Sequence, residues 1–298
     1  MRAPRATAVI TSLALSLTLA ACGGDDEDTA APTPSTPEEV EEFAEGTPMK
    51  AFADAGKIRV GTKFDQPLFG LKGLSGEPEG FDVEVAKMIA AQLGIAGGDI
   101  EFVESISKNR QDFLKNDTVD FIVATYTINE ERDTEVDFAG PYFVAGQDIL
   151  VMEGNPEGIT GVKDLEGKTV CSQEGSTSAK NITEQAPGAD LKLLGSYADC
   201  AAAMKDGTDG IVAVSTDDVI LFGISAENEG DFEIVGEPFT EELYGIGVPE
   251  GKEDFCEFIN GVVAERVEDG SLQEAFDATA GKGAERTIEA LEPWGCDT

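Results

Sequence analysis

The sequence predicts an α/β protein built as two lobes about an interlobe cleft, and three observations carry that expectation. Short apolar strands alternate with amphipathic helices through two successive rounds, the pattern of parallel α/β layers. The rounds open alike, with Gly56-Lys57 before a strand at 58–62 and Gly167-Lys168 before another at 169–172. Segments 140–150 and 243–248, which contain Gly and Pro, read as hinge-like crossings between the lobes.

In the first round, strand 58–62 runs through a Pro/Gly-rich loop into a helix at 82–93, whose Val83, Ala86, Ile89, Ala90 and Leu93 share one face and which Gly94 ends. Strands at 100–103 and 119–124 follow, separated by a helix at 109–115. The second round has strands at 169–172, 191–194, 210–214 and 232–235, with helices at 177–185, 196–205 and 217–226 between them. Helix 254–268, apolar at Phe255, Phe258, Ile259, Val262 and Val263, returns the chain to lobe one, which is therefore discontinuous. Lobe one takes 49–145 and 245–298, and lobe two takes 146–244. Open α/β sheets bind ligands beyond the carboxyl ends of their strands, so function is expected where those ends face the cleft.

The N-terminal segment sets the compartment. Arg2 and Arg5 precede an apolar stretch at 9–19, too short to span a bilayer, and Leu19-Ala20-Ala21-Cys22 follows. This resembles a bacterial lipobox, which implies a signal peptide at 1–21 and a lipid on Cys22; the plainer reading is an ordinary secretory signal with an incidental cysteine. Residues 22–48 are acidic and Pro-rich, the composition of a self-repelling tether. Their acids lack the spacing of a calcium loop, so no metal is expected.

Composition excludes several functions. The 298 residues carry 59 acids against 21 Lys and Arg, which argues against nucleic acid and anionic membrane surfaces as partners. There is no histidine, so Ser-His-Asp catalysis and His-ligated zinc are ruled out, and no Walker sequence is present. Besides Cys22 there are four cysteines, Cys171, Cys200, Cys256 and Cys296, an even number that suggests disulfides in an exported protein. Of three possible pairings, Cys171 with Cys200 and Cys256 with Cys296 is favoured by the segments in which they fall.

Ordered motifs along the chain carry a resemblance. They are the run 80–93, Gly61-Thr62-Lys63-Phe64-Asp65-Gln66-Pro67, Thr127-Ile128-Asn129-Glu130-Glu131-Arg132, Val136-Asp137-Phe138-Ala139-Gly140-Pro141-Tyr142, Gly175-Ser176-Thr177 and Thr216-Asp217-Asp218. Over roughly residues 51–296 the chain resembles the polar amino acid family of solute-binding proteins of ABC importers, and most of all the glutamate-binding lipoproteins of actinobacteria. The resemblance implies a periplasmic-binding-protein-like fold, a free amino acid as ligand, no cofactor, and a membrane permease with its ATPase as partners. It also implies a monomer lipid-anchored on the extracytoplasmic face of the cell membrane.

A free amino acid offers a carboxylate and an ammonium on one carbon, so its receptor needs a planar donor fork and a nearby fixed anion. The resemblance assigns the carboxylate to Arg132, helped by Thr127 and by the Gly175, Ser176 and Thr177 loop at a helix start. It assigns the ammonium to Asp217, with Thr125 assisting, and Asp218 is the less favoured acid. Lys63 is expected to read a γ-carboxylate, while Gln66, where many relatives carry an aromatic, could read an acid or an amide. Phe69 and Phe81 read as core or cleft-wall residues rather than specific readers, and Phe81 is counted among the ligand contacts. Plainer readings stand beside these: a surface ion pair for Arg132, a helix cap for Asp217, an exposed strand-end lysine for Lys63. Two further classes share the fold, an exported dehydratase with Glu174 as its acid, and a sensory lipoprotein uncoupled from transport.

Overall fold

The computed structural model describes residues 42–282 and 286–296. The signal peptide, Cys22 and most of the expected tether lie outside the described residues.

Lobe one begins with helix α1 (Pro48–Ala55), where the Thr47 hydroxyl caps the Lys50 amide and Pro48 takes the first turn, in which a missing N–H is harmless. Strand β1 (Ile58–Thr62) leads to a small antiparallel sheet of β2 (Asp65–Gln66), β3 (Gly70–Lys72) and β4 (Pro78–Glu79), then to α2 (Phe81–Gln92). Next come β5 (Ile100–Glu104), α3 (Arg110–Lys115), β6 (Phe121–Thr127), the single turn α4 (Glu130–Asp133) and β7 (Asp137–Ala145).

Lobe two holds β8 (Gln147–Met152), β9 (Thr169–Gln173), α5 (Thr177–Gln185), β10 (Asp190–Leu194), α6 (Tyr197–Lys205), β11 (Ala213–Asp217), α7 (Asp218–Glu227) and β12 (Phe232–Ile234). The chain returns to lobe one through β13 (Glu242–Val248), α8 (Glu253–Glu268) and α9 (Ser271–Ala278).

Each lobe is built on a five-stranded sheet, in the order β5-β1-β6-β13-β7 in lobe one and β10-β9-β11-β8-β12 in lobe two. In each, four strands run one way and a single strand, β13 in lobe one and β8 in lobe two, runs antiparallel to both its neighbours, so the sheets are mixed. Helices cover both faces. In lobe one, α2, α8 and α9 bury Val85, Ile89, Phe255, Ile259 and Phe276 on one face, and Leu114, Tyr126 and Phe138 fill the other. In lobe two, α6 and α7 cover one face with Met204, Leu221 and Ile224, and Ile182 of α5 lies in the other layer.

Two expectations are corrected here. Segment 243–248, read as a crossing, is β13, in the middle of the first sheet between β6 and β7. Its glycines suggested a break, but they serve close approach: a Cβ at Gly245 would stand 2.5 Å from Ile128 Cγ1, and one at Gly247 would stand 2.9 Å from Tyr126 Cε1. Segment 140–150 is likewise mostly the strands β7 and β8, separated only by Gly146. The chain passes between lobes at Gly146 and at 235–241. These crossings touch, since a Cβ on Gly146 would meet Pro238 Cβ at 2.9 Å and Thr240 O at 3.1 Å. Strands β6 and β11 also end three residues later than expected, which places Thr125, Thr127 and Asp217 inside strands.

Both favoured disulfides form, Cys171–Cys200 joining β9 to α6 and Cys256–Cys296 joining α8 to the chain end. By loop entropy each contributes about 3.5–4 kcal/mol.

Candidate ligand-binding site

Parallel strands bring their carboxyl ends to one edge of a sheet, and the two sheets present those edges to each other. From lobe one come Lys63 just after β1, Thr125 and Thr127 at the end of β6, Arg132 in α4 and Arg110 at the start of α3. From lobe two come Gln173 at the end of β9, the Gly175 turn capped onto α5, and Asp217 as the last residue of β11.

The lobes are in contact across this edge. Lys63 Nζ donates to Gln173 Oε1 at 2.7 Å and lies 3.3 Å from Ser107 Oγ, which itself donates to Gln173 Oε1 at 2.7 Å. Arg132 Nη2 reaches Gly175 O at 3.4 Å, and the Thr177 and Thr127 hydroxyls are 3.4 Å apart. At the rim, Lys108 pairs with Glu174 at 2.8 Å and Lys180 with Glu131 at 2.5 Å, each pair joining one lobe to the other. Gly175 is left-handed at φ +78, and a Cβ there would stand 2.7 Å from Lys108 Cα. Only glycine lets this loop seat against lobe one.

Three cations converge on the cleft. Lys63, Arg110 and Arg132 are 1%, 2% and 5% exposed, which for Lys and Arg requires specific partners. Arg110 and Arg132 lie over the ring of Tyr126, at 4.1 and 5.0 Å. Arg110 donates to Ala124 O at 2.9 Å, and Arg132 donates to Thr127 O at 2.6 Å, so strand-end carbonyls orient both guanidinium groups. Burial pushes Lys63 down to about 7, and burial together with the neighbouring Arg132 pushes Arg110 down to about 10. A buried anion placed among them would raise both again and restore the charge of Lys63.

Asp217 is the acid of lobe two. Its Oδ2 accepts the Tyr244 hydroxyl at 2.6 Å, while the buried Oδ1 has no hydrogen-bond partner. Burial first and the Glu242 carboxylate second raise it to about 8, the state of an acid awaiting a cation. Gln66 repeats the pattern: its Oε1 accepts the Thr125 hydroxyl at 3.0 Å and its buried Nε2 donates to nothing. Buried polar atoms are normally paired, so these two mark where a ligand's groups fit.

Thr125 is held at φ +43, a rare conformation for a β-branched residue. Asp82, at the start of α2, holds it there by accepting the Thr125 amide at 2.8 Å and the Tyr142 hydroxyl at 2.6 Å. Burial lifts Asp82 to about 7. Backbone strain of this kind gathers at binding sites.

The structure thus brings together Lys63, Gln66, Thr125, Thr127, Arg132, Gly175, Thr177 and Asp217. Ser176 is beside them, but its hydroxyl accepts the Ala179 amide and donates to Gln173 O, so it serves as the cap of α5. Phe81 is corrected: its ring packs against Phe69, Tyr142, Phe143 and Phe276 in the core of lobe one. Glu174, the candidate acid of an enzyme, is half exposed in its rim pair with Lys108. Sequence reading missed Arg110, Ser107, Gln173 and Asp82. The signal for Ser107, Arg110 and Gln173 was their position within a few residues of a strand's carboxyl end.

Comparison with known proteins agrees with this geometry. The profile of the bacterial extracellular solute-binding proteins, family 3, matches residues 58–281. The ABC transporter glutamine-binding protein of Bacillus subtilis is 41% identical, over 76% of this chain and 82% of its own length. The glutamate-binding protein of Corynebacterium glutamicum is 36% identical, over 80% of this chain and 83% of its own. An ancestral arginine-binding protein solved with glutamine superimposes with a TM-score of 0.69 at 36% identity, covering 74% of this chain and 96% of that one.

Proposed function

The chain belongs to family 3 of the bacterial extracellular solute-binding proteins, and on that ground we propose that it captures free L-glutamate between its lobes and delivers it to an ABC permease. Membership in a binding-protein family, with Glu174 in an exposed ion pair, makes it a receptor rather than an enzyme. One observation carries the choice of ligand: three buried cations, Lys63, Arg110 and Arg132, converge on the cleft, and the buried Asp217 facing it keeps one oxygen unpartnered. Glutamate has two carboxylates and one ammonium, which divides over that set with Arg132 on the α-carboxylate, Asp217 on the ammonium, and Lys63 with Arg110 on the γ-carboxylate. Anchorage through Cys22 on the extracytoplasmic face of the membrane follows from the lipobox-like Leu19-Ala20-Ala21-Cys22.

Glutamine is the competing ligand. The unpartnered Gln66 amide nitrogen suits a ligand carbonyl as well as a carboxylate, and relatives named for glutamine and for glutamate match this chain similarly well. Calorimetric titration of protein starting after Cys22, refolded free of ligand, against glutamate, aspartate, glutamine and arginine decides between them. Glutamate bound tightest supports the reading. Preference for glutamine overturns the role given to Lys63 and Arg110, and no binding at all overturns the receptor.

A further inference from the structure

The family match ends at residue 281, and residues 286–296 form a strap across the hinge. The disulfide to Cys256 and the hydrogen bond from Trp294 N to Gly140 O, 2.7 Å, pin its far end to α8 and β7. Its near end is held by Gln273, whose side chain bonds both Arg286 O and the Ile288 amide. Arg286 projects from this strap over Phe143, donates through Nη1 to Val144 O at 3.0 Å, and pairs through Nη2 with Asp218 Oδ2. Val144 belongs to the lobe-one strand that leads into the hinge, whereas Asp218 opens α7 of lobe two. Asp218 is also bonded to the crossing itself: its amide donates to Gly146 O at 2.8 Å and its Oδ1 accepts the Gly146 amide at 3.3 Å.

We propose that Arg286 is a positioning residue for the ligand site: by neutralising Asp218 and tying it to Val144, it holds the adjacent Asp217 in place and eases the release of its proton when an amino acid's ammonium group arrives. The proposal rests on the amino-acid site described above, not on which side chain the ligand carries. Asp217 faces Glu242 and Tyr244 of β13, Tyr197 of α6, Asp218 of its own segment, and the cations Arg110 and Arg132. Two of these neighbours are carboxylates that oppose its ionisation, and Asp218 is the one with a dedicated counter-ion. With Arg286 removed, the Asp218 charge acts on Asp217 through a partly buried path where screening is weak.

Two measurements test this on the disulfide-intact protein. The first is the Asp217 carboxyl titration, followed by carbon NMR in the ligand-free state and identified by its loss in Asp217→Asn. The second is glutamate and glutamine affinity between about pH 6 and 8.5, the range in which Asp217 titrates. In Arg286→Gln the Asp217 titration should move upward by about half to one unit, and affinity at pH 7 should fall about three- to tenfold. Arg286→Lys should restore both, and Arg286→Gln should add no loss in an Asp218→Asn background. An unchanged titration in Arg286→Gln overturns the proposal, as does an affinity loss that persists in Asp218→Asn, which would mean the strap acts by packing alone. If the parent binds neither amino acid, the proposed function fails, and the NMR titration still decides whether Arg286 controls Asp217.

Discussion

In the proposed pose, Lys63, Arg110 and Arg132 are separable by which ligand group each would meet. Lys63→Ala should weaken glutamate roughly 30- to 100-fold, the worth of a charged hydrogen bond, and glutamine far less. Arg132→Ala should weaken every amino acid alike; titration calorimetry over a ligand panel distinguishes the two patterns. Asp217 makes a prediction about stability. Burial lifts it from its ordinary 3.8 to about 8, so the folded chain holds a proton there that the unfolded chain releases. The stability this lends is complete below about pH 4 and is lost as pH rises through about 8. Asp82 acts in the same direction through about 7. Lys63, lowered from 10.5 to about 7, acts oppositely, its contribution returning as pH rises toward 10.5. Asp217→Asn should therefore stabilise the ligand-free protein at pH 8 by ~1 kcal/mol or more, while abolishing binding. A melting temperature that falls at pH 8 would show that the ionised form is well solvated in the fold.

At the scale of elements, the loop between β9 and α5 is the part of lobe two seated most directly on lobe one. Gly175 is left-handed and lies directly against the Lys108 backbone of the other lobe, so Gly175→Ala meets strain within lobe two and a clash between lobes. The clash exists only when the lobes meet. The variant should fold with a loss of about 1 kcal/mol, yet bind at least tenfold more weakly. Thermal melts without ligand and calorimetry with it separate the two effects, and equal losses in both would place the strain in the fold rather than in closure. The strap offers a parallel case. Cys296→Ser releases its far end and should cost about 2–4 kcal/mol of stability in denaturant unfolding, the usual worth of such a link.

For the molecule as a whole, closure is set by contacts that exist in only one arrangement of the lobes. The rim pairs Lys108–Glu174 and Lys180–Glu131 are such contacts, but their side chains are half exposed or more, and exposed pairs contribute about 0–1 kcal/mol. Replacing both lysines by alanine should weaken binding less than about fivefold. A larger loss by calorimetry would move the driving force for closure from the buried cluster to the rim. The net charge of −38 would not prevent capture of the proposed acidic ligand, because potentials decay within about 8 Å at physiological salt and the cleft supplies its own cations.

The sequence by itself determined the local elements and the residue types at the cleft. Period-2 and 3.6-residue patterns are written in near neighbours, which is why β1, α2, α5 and α8 were legible. The ordered motifs, through the family resemblance they carry, pointed to Lys63, Arg132 and Asp217, each of which follows or ends a strand. Only the tertiary structure decided which strands are neighbours. It placed β13 between β6 and β7, where its glycines permit close packing instead of ending a strand, and it set the crossings at Gly146 and 235–241. It added Arg110 and Gln173 to the site and sent Phe81 to the core. It also carried Arg286, 68 residues beyond Asp218, back to the hinge. These are long-range choices, made by complementary packing and by the need to partner buried charge, and neither leaves a periodic trace in the chain.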